Sequence, residues 1–205
     1  MERRRVRGAS VSAPADFLGV SMRRARVFSV LSCLLLVVTA CGGGGSDPVI
    51  DPGGTLTASF TPTQPNPGNL ETAMAPGSSS GPLVTVAINV ANTNDVYGAS
   101  LEVTFDPSRA SFEGHSPGTL LETGGYTVHY FVAESLPGTL IISATREGQV
   151  PGVDVTAVRT LINLTFRLMV EGSSSLDFDI AASELEGPQQ SIPGVTFSGG
   201  TLQAN

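Results

Sequence analysis

Apolar and polar residues alternate along most of the chain from Leu83 onward. A period of two places neighbouring side chains on opposite faces of an extended strand, so that one face is buried and the other meets solvent. The clearest alternation covers residues 84–90, 99–105, 164–170 and 176–180. Turn residues separate these stretches, and none of them has the 3.6-residue repeat of an amphipathic helix. The pattern predicts an all-β domain built as a two-sheet antiparallel sandwich or jelly roll.

Weaker patterns complete this prediction. Residues 126–132 and 140–144 are two more strand candidates, and residues 55–60 form a candidate first strand. Residues 61–82 contain four prolines before a Gly-Ser run, which is typical of a loop. A single helical turn is expected near residues 154–160. The folded domain is therefore predicted over residues 55–205, about 150 residues, which is enough for one core.

The N-terminal region has the features of an export signal. Arginines follow Met22, and residues 27–40 form a mostly apolar segment of 14 residues, shorter than the roughly 20 residues that span a bilayer. The ending Val38-Thr39-Ala40-Cys41 resembles the lipobox of bacterial lipoproteins. That resemblance implies cleavage before Cys41 and a lipid on its sulfur. Residues 1–40 are thus assigned to the signal region, with Met22 as an alternative start.

The segment after Cys41 indicates a tether and an acidic domain. Residues 41–54 are rich in glycine, with aspartates and prolines that oppose packing. Of the 18 acidic and 11 basic residues, two acids and seven arginines precede Cys41, which leaves a net charge of −12 with no lysine. Such a chain is expected to repel nucleic acid and anionic lipid, so a membrane contact would depend on the lipid anchor.

Several strands occur in an order that resembles the cohesin domains. The resemblance covers residues 83–204 and includes a strand that ends in Phe105-Asp106-Pro107. The other matching pieces are residues 84–90 (VTVAINV), 116–121 (SPGTLL), 161–168 (LINLTFRL) and 192–202 (IPGVTFSGGTL). The residues Ser116-Pro117-Gly118 permit a sharp reversal, because proline presets one turn position and glycine allows a positive φ at the next.

The cohesin resemblance implies a jelly roll of about nine strands that recognises a protein through one sheet face. The partner is usually a dockerin, which carries the calcium, so no cofactor is expected in this chain itself. The resemblance also implies a link to polysaccharide catabolism. It places the following residues on the candidate partner-binding face: Ser100, Glu102, Thr104, Thr145, Arg146, Thr165 and Arg167.

One departure from the cohesin pattern affects this face. Cellulosomal cohesins often carry an Asn and an Asp two residues apart on the recognition strand. Counted back from Asp106-Pro107, these places hold Gly98 and Ser100. The absence of this polar pair raises the question of whether a conventional dockerin is the partner.

Catalysis and metal binding are not predicted. Glycoside hydrolysis needs two carboxylates across a cleft, whereas the available acids are expected to be solvated on strand faces. Asp177 and Asp179 could offer oxygen ligands to calcium, but no complete calcium-binding loop accompanies them. His115 beside Ser116 is expected to be a polar loop pair, since catalytic partners are usually distant in sequence.

The sequence therefore predicts a non-catalytic binding module of the cell envelope. It would be held by lipid at the outer membrane or cell surface and would recognise a dockerin-like or other envelope protein. Two alternatives stay open: a carbohydrate-binding module of similar fold, and a structural envelope lipoprotein that self-associates through edge strands. The carbohydrate alternative lacks tryptophan and depends on a few aromatic residues, namely Tyr97, Tyr126, Tyr130 and Phe131.

Overall fold

The computed structural model describes residues 56–205. The predicted signal region, the lipidation site Cys41 and the glycine-rich tether lie outside the described residues. Within the described part the chain is built from strands, and the prediction of an all-β jelly-roll sandwich is confirmed. In this part no helix has the length and apolar content that crossing a bilayer requires.

Fourteen strands follow one another in the described chain. The first seven are β1 (Ala58–Pro62), β2 (Glu71–Ser80), β3 (Leu83–Ala91), β4 (Thr93–Val96), β5 (Gly98–Phe105), β6 (Ala110–Pro117) and β7 (Val128–Leu136). The other seven are β8 (Thr139–Arg146), β9 (Val153–Val155), β10 (Arg159–Leu168), β11 (Gly172–Phe178), β12 (Glu184–Glu186), β13 (Thr196–Ser198) and β14 (Gly200–Ala204). A short 3₁₀ turn, Ile180–Ala182, lies between β11 and β12. The strand number exceeds the predicted nine because several strands are only three or four residues long.

The strands form two main sheets and a small ribbon. The larger sheet has the order β1-β14-β11-β5-β8-β7, with β12 also paired to β5. The second sheet has the order β13-β2-β3-β10-β6, and β4 pairs with β9 in the ribbon. Of these pairs, β13 with β2 is parallel and the rest are antiparallel.

The core lies between the two sheets and follows from the alternation. Val86 and Ile88 of β3 and Leu164 of β10 are fully buried on one side, and Leu101 of β5 and Ile142 of β8 are buried on the other. The residues between them in sequence face solvent or are partly exposed. A strand whose alternate residues are apolar is stabilised in one register, because a shift by one residue would expose the whole apolar set.

Two local predictions are wrong. Residues 61–82 do not form one loop, because β2 occupies Glu71–Ser80 and buries Met74 against the core. Pro76 is tolerated there because β13 pairs only with the start of β2, so that Pro76 faces no partner on that side. The helical turn expected near residues 154–160 is also absent: β9 and the start of β10 occupy this stretch, and Val153 and Val155 are buried.

The turn after β5 has the structural role expected of it. The Asp106 carboxylate accepts hydrogen bonds from the backbone N–H of Ser108 at 2.9 Å and from its hydroxyl at 2.6 Å. These two bonds, the hydroxyl first, lower the pKa of Asp106. The 3₁₀ turn is capped in a similar way, since the Asp179 carboxylate accepts from Ala181 N at 2.9 Å.

Candidate functional site

The larger sheet presents a solvent-facing surface on β7, β8 and β5. Every second residue of β5 and β8 is buried, and the residues between them point outward. The register places Phe131 of β7 opposite Ser143 of β8, and Ser143 opposite Ser100 of β5. We call the following set of outward side chains the outer face: Ser100, Glu102, Thr104, Phe131, Ala133, Ile141, Ser143, Thr145, Asp177 and Glu184.

One side of the outer face is apolar. The Phe131 side chain is 58% exposed, although the neighbouring Tyr130 and Val132 pack against the core. Ala133 and Ile141 lie in the next row, opposite each other on β7 and β8. An exposed aromatic ring beside aliphatic side chains is the composition found at the centre of protein interfaces.

The other side of the outer face is acidic. Glu184 lies opposite Ser100, and Asp177 lies opposite Thr104, so that both carboxylates adjoin Glu102 of β5. The arginines that form salt bridges in the described chain pair with other acids: Arg109 with Asp106 and Arg167 with Glu113. The carboxylates of the outer face therefore keep their negative potential for a ligand.

The 3₁₀ turn supports the centre of the acidic side. β11 pairs with the end of β5 and β12 pairs with its start, which leaves Glu102 between them. There Asp179 N donates to Glu102 O at 2.9 Å, and Glu102 N donates to the Ser183 hydroxyl at 3.1 Å. The turn also carries Ile180, whose side chain is 68% exposed beside this gap. Backbone hydrogen bonds on both edges hold β5 in place before a ligand arrives.

The structure places four of the seven predicted partner-binding residues together. Ser100, Glu102 and Thr104 project from β5, and Thr145 projects from the end of β8. Ile141 and Ser143 share this surface but are missing from the sequence prediction. The sequence could have identified both, because they alternate with the buried residues Leu140 and Ile142 of β8 as regularly as Ser100 and Glu102 alternate with the buried residues of β5.

Arg146 lies inside the domain rather than on the outer face. Its side chain is 3% exposed and follows the inward phase of β8. The guanidinium donates to Pro151 O at 2.6 Å and to Thr123 O, and its carbon Cζ lies 4.3 Å from the centre of the Tyr126 ring. These contacts join two loops, which makes Arg146 a structural residue of this end of the sandwich.

Thr165 and Arg167 lie on the opposite side of the molecule from β5. Both belong to β10 in the second sheet, where they point away from the core. The Thr165 hydroxyl is 3.4 Å from that of Thr85, and Arg167 Nε is 3.0 Å from Glu113 Oε1. The structure therefore does not bring these two residues together with the outer face.

The tyrosines of the carbohydrate alternative do not form one platform. Tyr97 lies just before β5 and donates its hydroxyl hydrogen to Gly148 O at 2.5 Å. One face of the Tyr126 ring is covered by Arg146. Tyr130 packs toward the core, where burial, with a smaller contribution from Glu122, raises its pKa to about 12. A continuous stacking surface for sugar rings therefore does not arise from these three residues.

Gly98 marks the place where the cohesin pattern carries a polar side chain. A Cβ atom built there would lie 2.9 Å from Ala144 O and 3.4 Å from both the Thr145 hydroxyl and the Glu186 carboxylate. A larger residue would require β8 or β12 to shift. The absence of a side chain at this position is therefore a consequence of close strand packing. Within the described residues no group of three or more His, Cys, Asp or Glu is arranged to hold a metal ion.

The sheet order and the two-sheet core define the domain as an antiparallel jelly-roll sandwich, and its fold is that of the cohesin domains. The second type II cohesin module of the ScaA adaptor scaffoldin from Acetivibrio cellulolyticus matches with a TM-score of 0.50 and 12% identity, over 71% of this chain and 88% of that one. No family model matches the sequence, and no curated protein matches it.

Two further solved structures are similar to this chain. The third cohesin of ScaC from Acetivibrio cellulolyticus, in complex with the ScaB dockerin, has a TM-score of 0.48 at 16% identity, over 58% of this chain and 86% of that one. A non-cellulosomal cohesin from the hyperthermophilic archaeon Archaeoglobus fulgidus has a TM-score of 0.44 at 15% identity, over 70% of this chain and 88% of that one.

Proposed function

We propose that the chain is a non-catalytic recognition module that binds a partner protein across the outer face. The observation that carries this proposal is the exposed Phe131 ring on the same sheet face as carboxylates that form no salt bridge with an arginine of the described residues. Because the sequence resembles cohesins, we propose a dockerin-like protein as the partner.

The outer face suggests how the partner is held. Phe131 and Ile141 offer the apolar area whose desolvation supplies affinity. The hydroxyls of Ser100 and Ser143 are short, so a partner backbone can approach the sheet and form hydrogen bonds with them. Glu102 and its acidic neighbours favour a partner that presents lysine or arginine, and they would speed its association at low salt. A partner with a basic and apolar helix face meets all three conditions.

Replacement of Phe131 tests this proposal. We expect Phe131→Asp to weaken partner binding at least about tenfold, because it removes the apolar anchor and adds a charge to an acidic surface. The full chain is immobilised and used to capture secreted and membrane proteins of the source organism, first with calcium and then with a chelator. The captured protein is then titrated against the chain and the variant.

The matched control is Met169→Asp. Met169 is exposed after β10, away from the outer face, so this variant adds the same charge to an exposed apolar site and is expected to leave binding unchanged. If Phe131→Asp and Met169→Asp weakened partner binding equally, the outer face would not be the binding surface. A bait that captures nothing under either condition would contradict the recognition function itself.

The lipid anchor is a separate part of the proposal and rests on the sequence around Cys41. The module would be tethered outside the cytoplasm by a lipid on this cysteine. We expect Cys41→Ser to abolish acylation and release the processed protein from membranes, as measured by radiolabelled palmitate incorporation and by membrane fractionation. Acylation at the wild-type level in this variant would contradict the lipobox assignment.

A further inference from the structure

A groove lies at the end of the sandwich where β5 begins, and it adjoins the outer face at Glu184. The segment between β12 and β13 forms one wall of a cavity of about 580 Å³, and Asp95 lies across from it. A neighbouring depression of about 340 Å³ is lined by Tyr97 and residues 148–150. Both are bordered by Pro188 and Gln189, so they adjoin each other, and we call the two together the groove. Its size falls in the range of about 300–1,000 Å³ of small-molecule sites.

The lining of the groove is rich in hydrogen-bonding groups, and Asp95 is the one charged residue among the described residues that line it. Side-chain amides come from Gln149, Gln189 and Gln190, and a hydroxyl comes from Ser191. Each amide carries both donors and acceptors, which suits ligands whose hydroxyls also do both. Asp95 adds a carboxylate acceptor, and no lysine or arginine lines the groove. This composition favours uncharged, polyhydroxylated ligands over anionic ones.

Tyr97 supplies the apolar surface that such a ligand requires. Its ring borders the groove between the two loops, and its hydroxyl is fixed by the bond to Gly148 O. Pro188 lies beside it. Sugar rings have apolar C–H faces that pack on aromatic and proline rings, while their hydroxyls reach nearby amides and carboxylates. Of the three tyrosines, Tyr97 is therefore the one placed to stack against a sugar ring.

The loops that form the groove are held by hydrogen bonds. Gly187 N donates to Gln190 O at 2.9 Å, which closes a tight turn, and Ile192 N donates to Leu185 O at 2.8 Å. On the opposite wall, Gly152 N donates to Asp95 Oδ1 at 3.1 Å. None of these three bonds uses a glutamine side chain, so the side-chain amides can meet a ligand. A preformed site loses less entropy when the ligand binds.

We propose that this groove binds a short stretch of a neutral polysaccharide, with Tyr97 as the stacking residue and Gln189 and Gln190 as hydroxyl-binding residues. Tyr97, Gln189 and Gln190 lie outside the outer face, but the two surfaces meet at Glu184, which accepts a hydrogen bond from the Ser191 hydroxyl at 2.5 Å. A glycan in the groove would therefore adjoin a protein bound to the outer face. This inference rests on the groove and does not depend on the identity of the protein partner.

Affinity electrophoresis of the full chain tests the inference. Native gels contain hydroxyethyl cellulose, xylan or galactomannan as neutral probes, and polygalacturonate as the anionic one. We expect retardation by at least one neutral polymer and none by polygalacturonate. The double variant Gln189→Ala/Gln190→Ala is expected to weaken this retardation about fivefold or more, because it removes one or two hydrogen bonds to the glycan. Both side chains are exposed, and the turn depends on the backbone of Gln190, so the fold is retained.

The matched control is Gln203→Ala, which removes an exposed glutamine from β14 outside the groove and should leave retardation unchanged. Tyr97→Phe keeps the ring and should retain most binding, whereas Tyr97→Ala should abolish it. Absence of retardation by all three neutral polymers would overturn the inference. It would also be overturned if the double variant kept full retardation but lost the protein partner, since the groove would then belong to the protein interface.

Discussion

Phe166→Ala is expected to lower the free energy of unfolding by about 4 kcal/mol, the usual cost of removing a fully buried aromatic ring. Phe166 lies on β10 and is 0% exposed. Its ring meets Phe105 of the other sheet edge-to-face at 5.3 Å between centres, and Phe112 of β6 at 5.9 Å. The ring therefore joins both sheets, and the cavity left behind could close only by moving one of them.

The measurement for this prediction is urea unfolding followed by circular dichroism. Phe131→Ala is the matched control, because it deletes the same ring from an exposed position and is expected to change the free energy of unfolding by less than about 0.5 kcal/mol. Similar destabilisation by both variants would contradict a core centred on Phe166. The two variants also separate roles, since Phe131→Ala should weaken partner binding while leaving the fold intact.

The alternation of residues predicts which side chains are buried but not which sheet they join. It correctly gives the inward phase of Leu101 on β5 and of Leu164 on β10, because that phase depends only on neighbours in the strand. Thr165 was assigned to the same face as Glu102, yet the two lie on different sheets. Sheet membership depends on pairing between distant segments, and a local pattern contains no information about it.

Two local features differ from the sequence prediction because they depend on contacts between strands. The four prolines and the Gly-Ser run of residues 61–82 predict a loop, but β2 pairs with β3 past Pro76 and Gly77 through a shift in register. The sequence permits a positive φ at Gly118, but the structure requires glycine there for close approach. A Cβ atom at this position would overlap the carbonyl group of Thr160 on the neighbouring strand. Contacts of this kind arise only once the strands have been brought together.

The candidate site shows the same division between local and non-local information. Ser100 and Glu102 could be placed on an outward surface from the β5 pattern alone. The acidic neighbours Asp177 and Glu184 reach this surface because β11 and β12 both pair with β5, which no short motif predicts. The polar groove likewise combines Tyr97 with a loop about ninety residues further along the chain.

The cohesin resemblance places Arg146 at the outer end of a strand of the partner-binding face. The alternation along β8 predicts the opposite, that Arg146 points into the core, since it follows the buried residues Leu140, Ile142 and Ala144 at steps of two. The structure agrees with the alternation. Two backbone carbonyls and the Tyr126 ring, rather than a carboxylate, compensate part of the burial of the guanidinium, and its Nε has no hydrogen-bond partner among the described residues.

Arg146→Ala is expected to lower the free energy of unfolding by about 3 kcal/mol, because hydrogen bonds to a charged group are lost and two carbonyls are left without their donor. One carbonyl belongs to Thr123, before β7, and the other to Pro151, before β9. Loss of this bridge should loosen both loops, so limited proteolysis should cut near residues 118–127 and 147–152 earlier than in the wild type.

Arg167→Ala provides the matched control for this prediction. Arg167 forms an exposed ion pair with Glu113 at 3.0 Å, a type of contact that contributes up to about 1 kcal/mol. Arg146→Met separates the two contributions of Arg146, because methionine keeps an apolar stem against Tyr126 but donates no hydrogen bond. Destabilisation of Arg146→Met close to that of Arg146→Ala would assign the effect to the two carbonyl bonds. If Arg146→Ala and Arg167→Ala lowered the free energy of unfolding by the same small amount, the Arg146 guanidinium would not hold these loops, and its structural role would be contradicted.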